Sequence, residues 1–352
     1  MKDIPRHMTR PLSVGKIKIG GGAEISIQSM LNVKTSIHAE ASHQIKRLVS
    51  AGCEIIRFSV MDMDDAEAIS ALKQEFDIPF VADIHFDHKL ALAAIRNGID
   101  ALRINPGNIG SRSGVESLVS AARERKIPIR IGVNSGSLPK ELLAKYGHGK
   151  EAMVEAALSH VKILEDLAYH EIKISAKASN IPLMLESYRE LSRRCDYPLH
   201  LGVTEAGTLL SGSIKSALGV GILLEEGIGD TIRISLTDDP VKEVIVARQI
   251  LVALGLRKGL NIVSCPTCGR TRIDLIDLAQ RVEEAMQPYQ DKDLTIAVMG
   301  CAVNGPGEAR EADFGIAGGK GEGLLFAKGE IVGKYPEDEL LDALLRLVGA
   351  SL

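Results

Sequence analysis

Lys173-Ile174-Ser175-Ala176-Lys177 is a stretch with two different sides. A β-strand turns successive side chains to opposite faces, so Lys173, Ser175 and Lys177 share one face and Ile174 and Ala176 the other. The same alternation recurs in Arg57-Phe58-Ser59, Arg103-Ile104-Asn105, Arg130-Ile131-Gly132-Val133-Asn134 and Arg233-Ile234-Ser235. Each of these lies in a short β-rich run: 26–30, 54–60, 79–85, 101–105, 128–134, 171–177, 198–204 and 231–236. Helical stretches rich in Ala, Leu, Glu and Lys fill the gaps, for example 151–169 and 241–254. Eight strand–helix alternations without an intervening hairpin imply an all-parallel sheet, and eight strands close a (β/α)8 TIM barrel. A doubly wound open sheet is the alternative, but no Gly-x-Gly-x-x-Gly follows the first strand. Ahead of it, 16–30 alternates around Gly20-Gly21-Gly22 and reads as a hairpin that caps the barrel floor. Without a Walker Lys-Ser/Thr, those glycines do not make a nucleotide loop.

A barrel strand packs its apolar face on helices, so the polar face must point inward. Chemistry in such barrels sits at the carboxyl ends of the strands. Four arginines on different strands, Arg57, Arg103, Arg130 and Arg233, with Lys177, therefore converge on one interior in a chain of net charge −4. Asp83, Asp87 and Glu205 are the carboxylates in view, too few to neutralise them. Forked guanidinium donors suit phosphate oxygens, and a diphosphate fits such a set. His85 closes the third strand and is read equally as proton donor, substrate hydrogen-bonder or partner of Asp83. Glu205 is the carboxylate placed for general acid or base work at the mouth, against the plainer reading of a surface-loop glutamate.

The last quarter carries different chemistry. Cys265-Pro266-Thr267-Cys268-Gly269-Arg270 places two thiols three positions apart, and Cys301 adds a third after the apolar run 294–299. Three thiolates are one short of a four-ligand zinc or iron–sulfur site, and Glu308 is the nearest remaining donor. At 352 residues the chain has room for two domains: a barrel over 1–254, a connector over 255–260, and a small α/β unit over 261–352. In the small unit a helix is expected at 274–287, a hairpin at 323–335 and a closing helix at 336–348. Five cysteines, an odd number, argue for a reducing compartment and a cytoplasmic protein. No apolar run approaches a membrane span, and the N-terminus lacks a signal's apolar core. With 3% aromatic residues, no Trp and no basic run, the chain offers no platform for nucleic acid.

Cys265-Pro-Thr-Cys-Gly-Arg followed by Gly300-Cys-Ala-Val-Asn-Gly-Pro-Gly-Glu308 resembles the signature of the 4-hydroxy-3-methylbut-2-enyl diphosphate synthases, and the resemblance extends over essentially the whole chain. It implies a [4Fe-4S] cluster held by Cys265, Cys268, Cys301 and Glu308, in a domain resembling those of sulfite and nitrite reductases. A carboxylate holds iron less firmly than a thiolate, so Glu308 is the ligand able to leave. It further implies a two-electron reductive ring opening and dehydration of 2-C-methyl-D-erythritol 2,4-cyclodiphosphate in non-mevalonate isoprenoid synthesis, with ferredoxin or flavodoxin as electron donor. The matching motifs place Arg57, Arg103, Arg130, Asn134, Lys177, Arg233 and Ser235 around the diphosphate. His85 and Glu205 match positions near the reacting carbon. The direct barrel-to-cluster connection resembles the shorter bacterial form. The last barrel helix leads back from the strand ends by ~21 Å, and a six-residue connector spans at most ~20 Å. A head-to-tail homodimer, each cluster facing the other subunit's barrel, is therefore expected. A zinc-stabilised tail on an anion-binding barrel is the rival reading. So is a pterin- or corrinoid-type methyltransferase barrel, which leaves Glu308 without a role.

Overall fold

The computed structural model describes residues 5–105, 107, 109–301 and 310–351. Two compact units divide the chain, one ending at Leu251 and the other beginning at Val252.

The first unit is the expected parallel barrel. Its strands are β3 (Ser26–Met30), β4 (Ile55–Ser59), β5 (Phe80–Asp83), β6 (Ala101–Ile104), β7 (Ile129–Asn134), β8 (Ile172–Lys177), β9 (His200–Leu201) and β10 (Thr231–Ile232). They pair in the order β8-β7-β6-β5-β4-β3-β10-β9. The seam between β8 and β9 is closed by a parallel bridge, Ile174 with Leu199. Tyr188 reinforces it: its buried hydroxyl donates to the His200 carbonyl (2.6 Å) and accepts from the Ala176 amide (3.1 Å). Tyr188 comes from the helix Ile181–Arg194, which buries Met184, Tyr188 and Leu191 on one side. Asn180 caps that helix by accepting from Leu183 N at 2.8 Å, satisfying an amide that has no intrahelical partner.

The floor differs from the sequence expectation in one respect. The hairpin is β1 (Leu12–Val14) with β2 (Ile17–Ile19), turning at Gly15-Lys16, and not around Gly20–Gly22. Gly15, at φ +53°, supplies the left-handed turn position that favours glycine. The hairpin does seal the barrel: Leu12, Val14 and Ile19 form one buried cluster with Ile55, Val81 and Ala101. The hairpin thus closes the floor of the barrel with an apolar cluster.

The second unit is a five-stranded mixed sheet: β11 (Leu260–Ser264), β12 (Leu294–Met299), β13 (Phe314–Gly318), β14 (Glu322–Ala327) and β15 (Glu330–Pro336) in that order. The first three strands are parallel, the last three antiparallel. Helices Leu275–Ala285 and Leu340–Ser351 contribute Leu278, Val282, Leu344 and Val348 to the core that also holds Ile296, Val298 and Ile316. The closing helix starts at Leu340 and not at 336, because Pro336 still ends β15. Among the described residues no helix is long and apolar enough to cross a membrane.

Candidate active site

Strand register decides which side chains meet inside the barrel. Asp83, Arg103, Arg130 and Lys173 are successive cross-strand partners from β5 to β8. Arg57, Arg103, Arg130 and Lys177 are all under 9% exposed. Asp83 is the anion at the centre. Arg57 Nη2 pairs with its Oδ2, Arg103 Nη1 with its Oδ1 at 3.2 Å, and His85 Nε2 lies 3.5 Å from Oδ1. Burial alone would lift this carboxyl, but Arg57, the His85 hydrogen bond and Arg103 hold it well below the usual carboxylate range. Asp83 is therefore ionised throughout the neutral range. The ring of His85 is half exposed, 3.0 Å from Arg103 Nη1, so it is oriented by the pair beneath it.

Two glycines make room for these cations. A β-carbon on Gly132 would stand 2.6 Å from Arg103 Nε, and one on Gly202 would stand 2.6 Å from Lys177 Nζ. Arg103 Nη2 donates to the Gly132 carbonyl at 3.3 Å, and Asn105 Oδ1 accepts from the Gly132 amide at 3.2 Å. Several donors remain without a protein acceptor: Arg57 Nε, Arg103 Nε, Arg130 Nε and Nη1, Lys173 Nζ and Arg233 Nε. Buried donors with no acceptor are costly and ask for a ligand or water. Burial, and then the like charges of Arg57 and Arg103, depress Arg130; burial, and then Arg233 and Arg130, depress Lys177. Such a site favours a polyanion.

Arg233 and Ser235 lie just beyond β10 and are half-buried. Arg233 Nη2 is 3.8 Å from Glu243 Oε1. Glu243, from the helix Pro240–Ala253, also accepts from Ser29 Oγ (3.2 Å) and from the Leu236 amide (2.9 Å). Burial raises its carboxyl, against the pull of Arg233. Sequence reasoning missed Glu243 because it arrives from a helix, outside the strand alternation. It also passed over Lys173 and His200 as site residues, although Lys173 shares the polar face of Lys177. Asp87 is not an inward carboxylate: it is exposed and caps the helix His88–Arg96, accepting from Lys89 N at 2.8 Å.

At the mouth, Asn134, Ser137, His148, Thr204 and Glu205 line a cleft of about 570 Å³. Glu205 is exposed and holds φ +54°, a left-handed backbone that a non-glycine residue adopts at a cost.

In the second unit, parallel pairing aligns Ser264 with Val298, so the cysteine-bearing ends of β11 and β12 lie side by side. The Gly300 amide donates to Cys265 Sγ at 3.2 Å, next to Cys301. A backbone N–H aimed at sulfur orients that side chain, as hydrogen bonds around a ligand do. Cys268 is exposed in a tight turn: its amide donates to Thr271 Oγ1 (3.1 Å) and its carbonyl accepts from the Thr271 amide (3.0 Å). Among the described residues no three His, Cys, Asp or Glu side chains gather as a site for one metal ion. The fourth expected ligand, Glu308, lies outside the described residues. The strand β11, which ends one residue before Cys265, was not anticipated as a strand.

Comparison with known proteins bears on both units. The model of the GcpE TIM-barrel domain matches residues 9–248, and that of the GcpE protein C-terminal domain matches 261–350. A 4-hydroxy-3-methylbut-2-en-1-yl diphosphate synthase (flavodoxin) from Geobacter sulfurreducens is 61% identical over 339 residues, covering 96% of each chain. Its namesake from Clostridium perfringens is 58% identical over 345 residues, 97% of this chain and 99% of its own. The one from Clostridium acetobutylicum is 56% identical over the same shares. The chain belongs to the GcpE family through both of its domains.

Proposed function

We propose that this GcpE-family chain catalyses the two-electron reductive ring opening and dehydration of 2-C-methyl-D-erythritol 2,4-cyclodiphosphate to 4-hydroxy-3-methylbut-2-enyl diphosphate. The observation that carries the reading is the barrel interior, where Arg57, Arg103, Arg130 and Lys177 stand buried, with Asp83 paired to two of the arginines and donors unspent. Two electrons and two protons break one carbon–oxygen bond of the ring and expel one hydroxyl as water. The phosphate released from carbon gains negative charge, and the preorganised cations stabilise that charge as it develops. Asp83 fixes the directions of Arg57, Arg103 and His85. Asn134, Arg233 and Ser235 would complete the contacts at the strand ends. Glu205, as a carboxylic acid, would protonate the departing hydroxyl.

Cys265, Cys268, Cys301 and Glu308 would hold a [4Fe-4S] cluster, which when bound supplies electrons one at a time. The Gly300 amide, directed at Cys265 Sγ, would help to orient that ligand. Flavodoxin, from the relatives' names, is the donor we assign, with ferredoxin the alternative. No disulfide joins any of the five cysteines, which suits a reducing cytoplasm. The expected head-to-tail homodimer would let each cluster domain serve the partner's barrel. Co-expression of a Glu205-defective chain with a Cys301-defective chain tests this: mixed dimers should regain one good site, and no recovery of activity overturns the arrangement.

Anaerobic purification with iron, sulfide and zinc analysis tests the function itself. About four irons per chain, lost in Cys301→Ser, with turnover of the cyclodiphosphate on reduced flavodoxin, is the expected result. Stoichiometric zinc and a colourless protein would leave an anion-binding barrel with a structural tail.

A further inference from the structure

Beside Arg130 the barrel interior holds two further buried polar side chains that the substrate reading leaves unused. Lys173, on β8, is 2% exposed, and its Nζ has no protein hydrogen-bond acceptor. Its cross-strand partner on β7 is Arg130, whose Nε and Nη1 are likewise unpartnered. Next to β8 stands His200 of β9, fully buried with neither ring nitrogen hydrogen-bonded to protein. The carboxylate whose charge reaches Lys173, Asp230 ahead of β10, is already engaged. It accepts from Arg6 Nη2 (3.1 Å), Thr9 Oγ1 (3.0 Å) and the Leu199 amide (2.9 Å). The charged and titratable groups facing Lys173 are thus Arg130, His200 and Asp230, and none offers it a free acceptor.

An ammonium in that position is poorly tolerated. Burial, followed by the charge of Arg130, pushes Lys173 down to about 7. Arginine cannot shed its proton near neutrality, so the lysine yields instead. A polyanion above Arg130 reverses the balance, because a nearby opposite charge favours the protonated form.

We propose that Lys173 is a further binding residue of the barrel: its buried, unpartnered amine beside Arg130 takes up a proton as the cyclic diphosphate enters and adds a positive charge to the set that holds it. The inference rests on the diphosphate reading of this pocket. Both phosphates of the cyclic substrate carry one strongly acidic group, already ionised at neutral pH, so any uptake belongs to protein.

Anaerobic calorimetry of the iron-loaded chain with the cyclodiphosphate, without reductant, in HEPES and Tris at pH 8.5 reads the uptake directly. Roughly one proton more should enter the wild type than Lys173→Met. The sign follows from the direction: at about pH 6 and below Lys173 is already protonated, so the difference vanishes there. Above about pH 7 its contribution weakens binding by up to about tenfold per pH unit. Lys173→Arg, with a fixed charge, should bind without that proton. Equal uptake in wild type and Lys173→Met, or binding by the wild type with none, overturns the role of Lys173. No binding heat at all overturns the diphosphate reading of the pocket instead.

Discussion

The guanidinium of Arg103 lies across Gly132, so close that a β-carbon there would stand 2.6 Å from Nε and 2.9 Å from Nη2. A position on β7 is thus kept bare for a side chain from β6. Gly132→Ala should displace Arg103, breaking its 3.2 Å contact with Asp83 and its bond to the Gly132 carbonyl. Loss of one charge-assisted contact corresponds to ~1.5–3 kcal/mol, or roughly 10- to 150-fold weaker substrate binding. Calorimetry with the cyclodiphosphate measures it. Unchanged affinity would mean that Arg103 does not touch the substrate.

Asp83 poses the opposite problem, an anion whose loss strands cations. In Asp83→Asn the charges of Arg57 and Arg103 stay buried without their counter-ion. Removing one partner of a buried pair costs ~3–5 kcal/mol, so urea unfolding should show a loss of that order. Because the folded-state carboxyl is depressed, its stabilisation is present above the unfolded value near 3.9 and fades as pH falls towards the folded one. The gap between wild type and variant should stay level from about pH 8 to about pH 5 and narrow only in stronger acid. Saturating cyclodiphosphate should restore part of the stability, since the ligand replaces the missing anion. A gap that widens on acidification would contradict the assignment.

The cysteines divide by environment. Cys53 is 5% exposed, and burial pushes its thiol up to about 12, so it carries almost no thiolate at pH 8. Cys268 is exposed, and Cys265 and Cys301 are half-buried. In iron-free protein an alkylating reagent should modify Cys268 first and Cys53 only after denaturation. Loading with iron and sulfide should protect Cys265, Cys268 and Cys301 together, as read by peptide mass spectrometry. Protection that spared Cys301 would remove it from the ligand set.

How far such arrangements could be read from sequence depends on whether local alternation or distant pairing creates them. The inward faces of β4, β6, β7 and β8 follow from alternation alone, so Arg57, Arg103, Arg130 and Lys177 were found together. Alternation also overran: it extended the last strands to 204 and 236, whereas the ladders of β9 and β10 each hold two residues. A two-residue period does not mark where a hairpin turns, so the turn was set at Gly20–Gly22 and not at Gly15. Glu243 reaches Arg233 from a helix, and the meeting of Cys265 with Gly300 depends on the parallel pairing of β11 and β12. Neither has a local signature. Asp87 shows the reverse case, where a polar residue at a strand end spends its carboxylate on a helix cap.

Glu205 is where backbone and chemistry pull apart. Its φ of +54° places a residue with a Cβ in the left-handed region, at a cost of roughly 1–2 kcal/mol. Glycine would remove that strain, so Glu205→Gly should raise the stability of the barrel by up to about 1 kcal/mol. If the carboxyl is the proton donor for the departing hydroxyl, the same variant should lose ~10²- to 10⁴-fold in kcat, the usual contribution of general acid catalysis. Glu205→Gln separates the two effects: it keeps the strained backbone and the shape of the side chain but cannot supply the proton. It should unfold like the wild type and turn over like Glu205→Gly, with substrate affinity and iron content preserved. Normal turnover by Glu205→Gln would assign the proton to another group and leave the left-handed backbone without a catalytic reason.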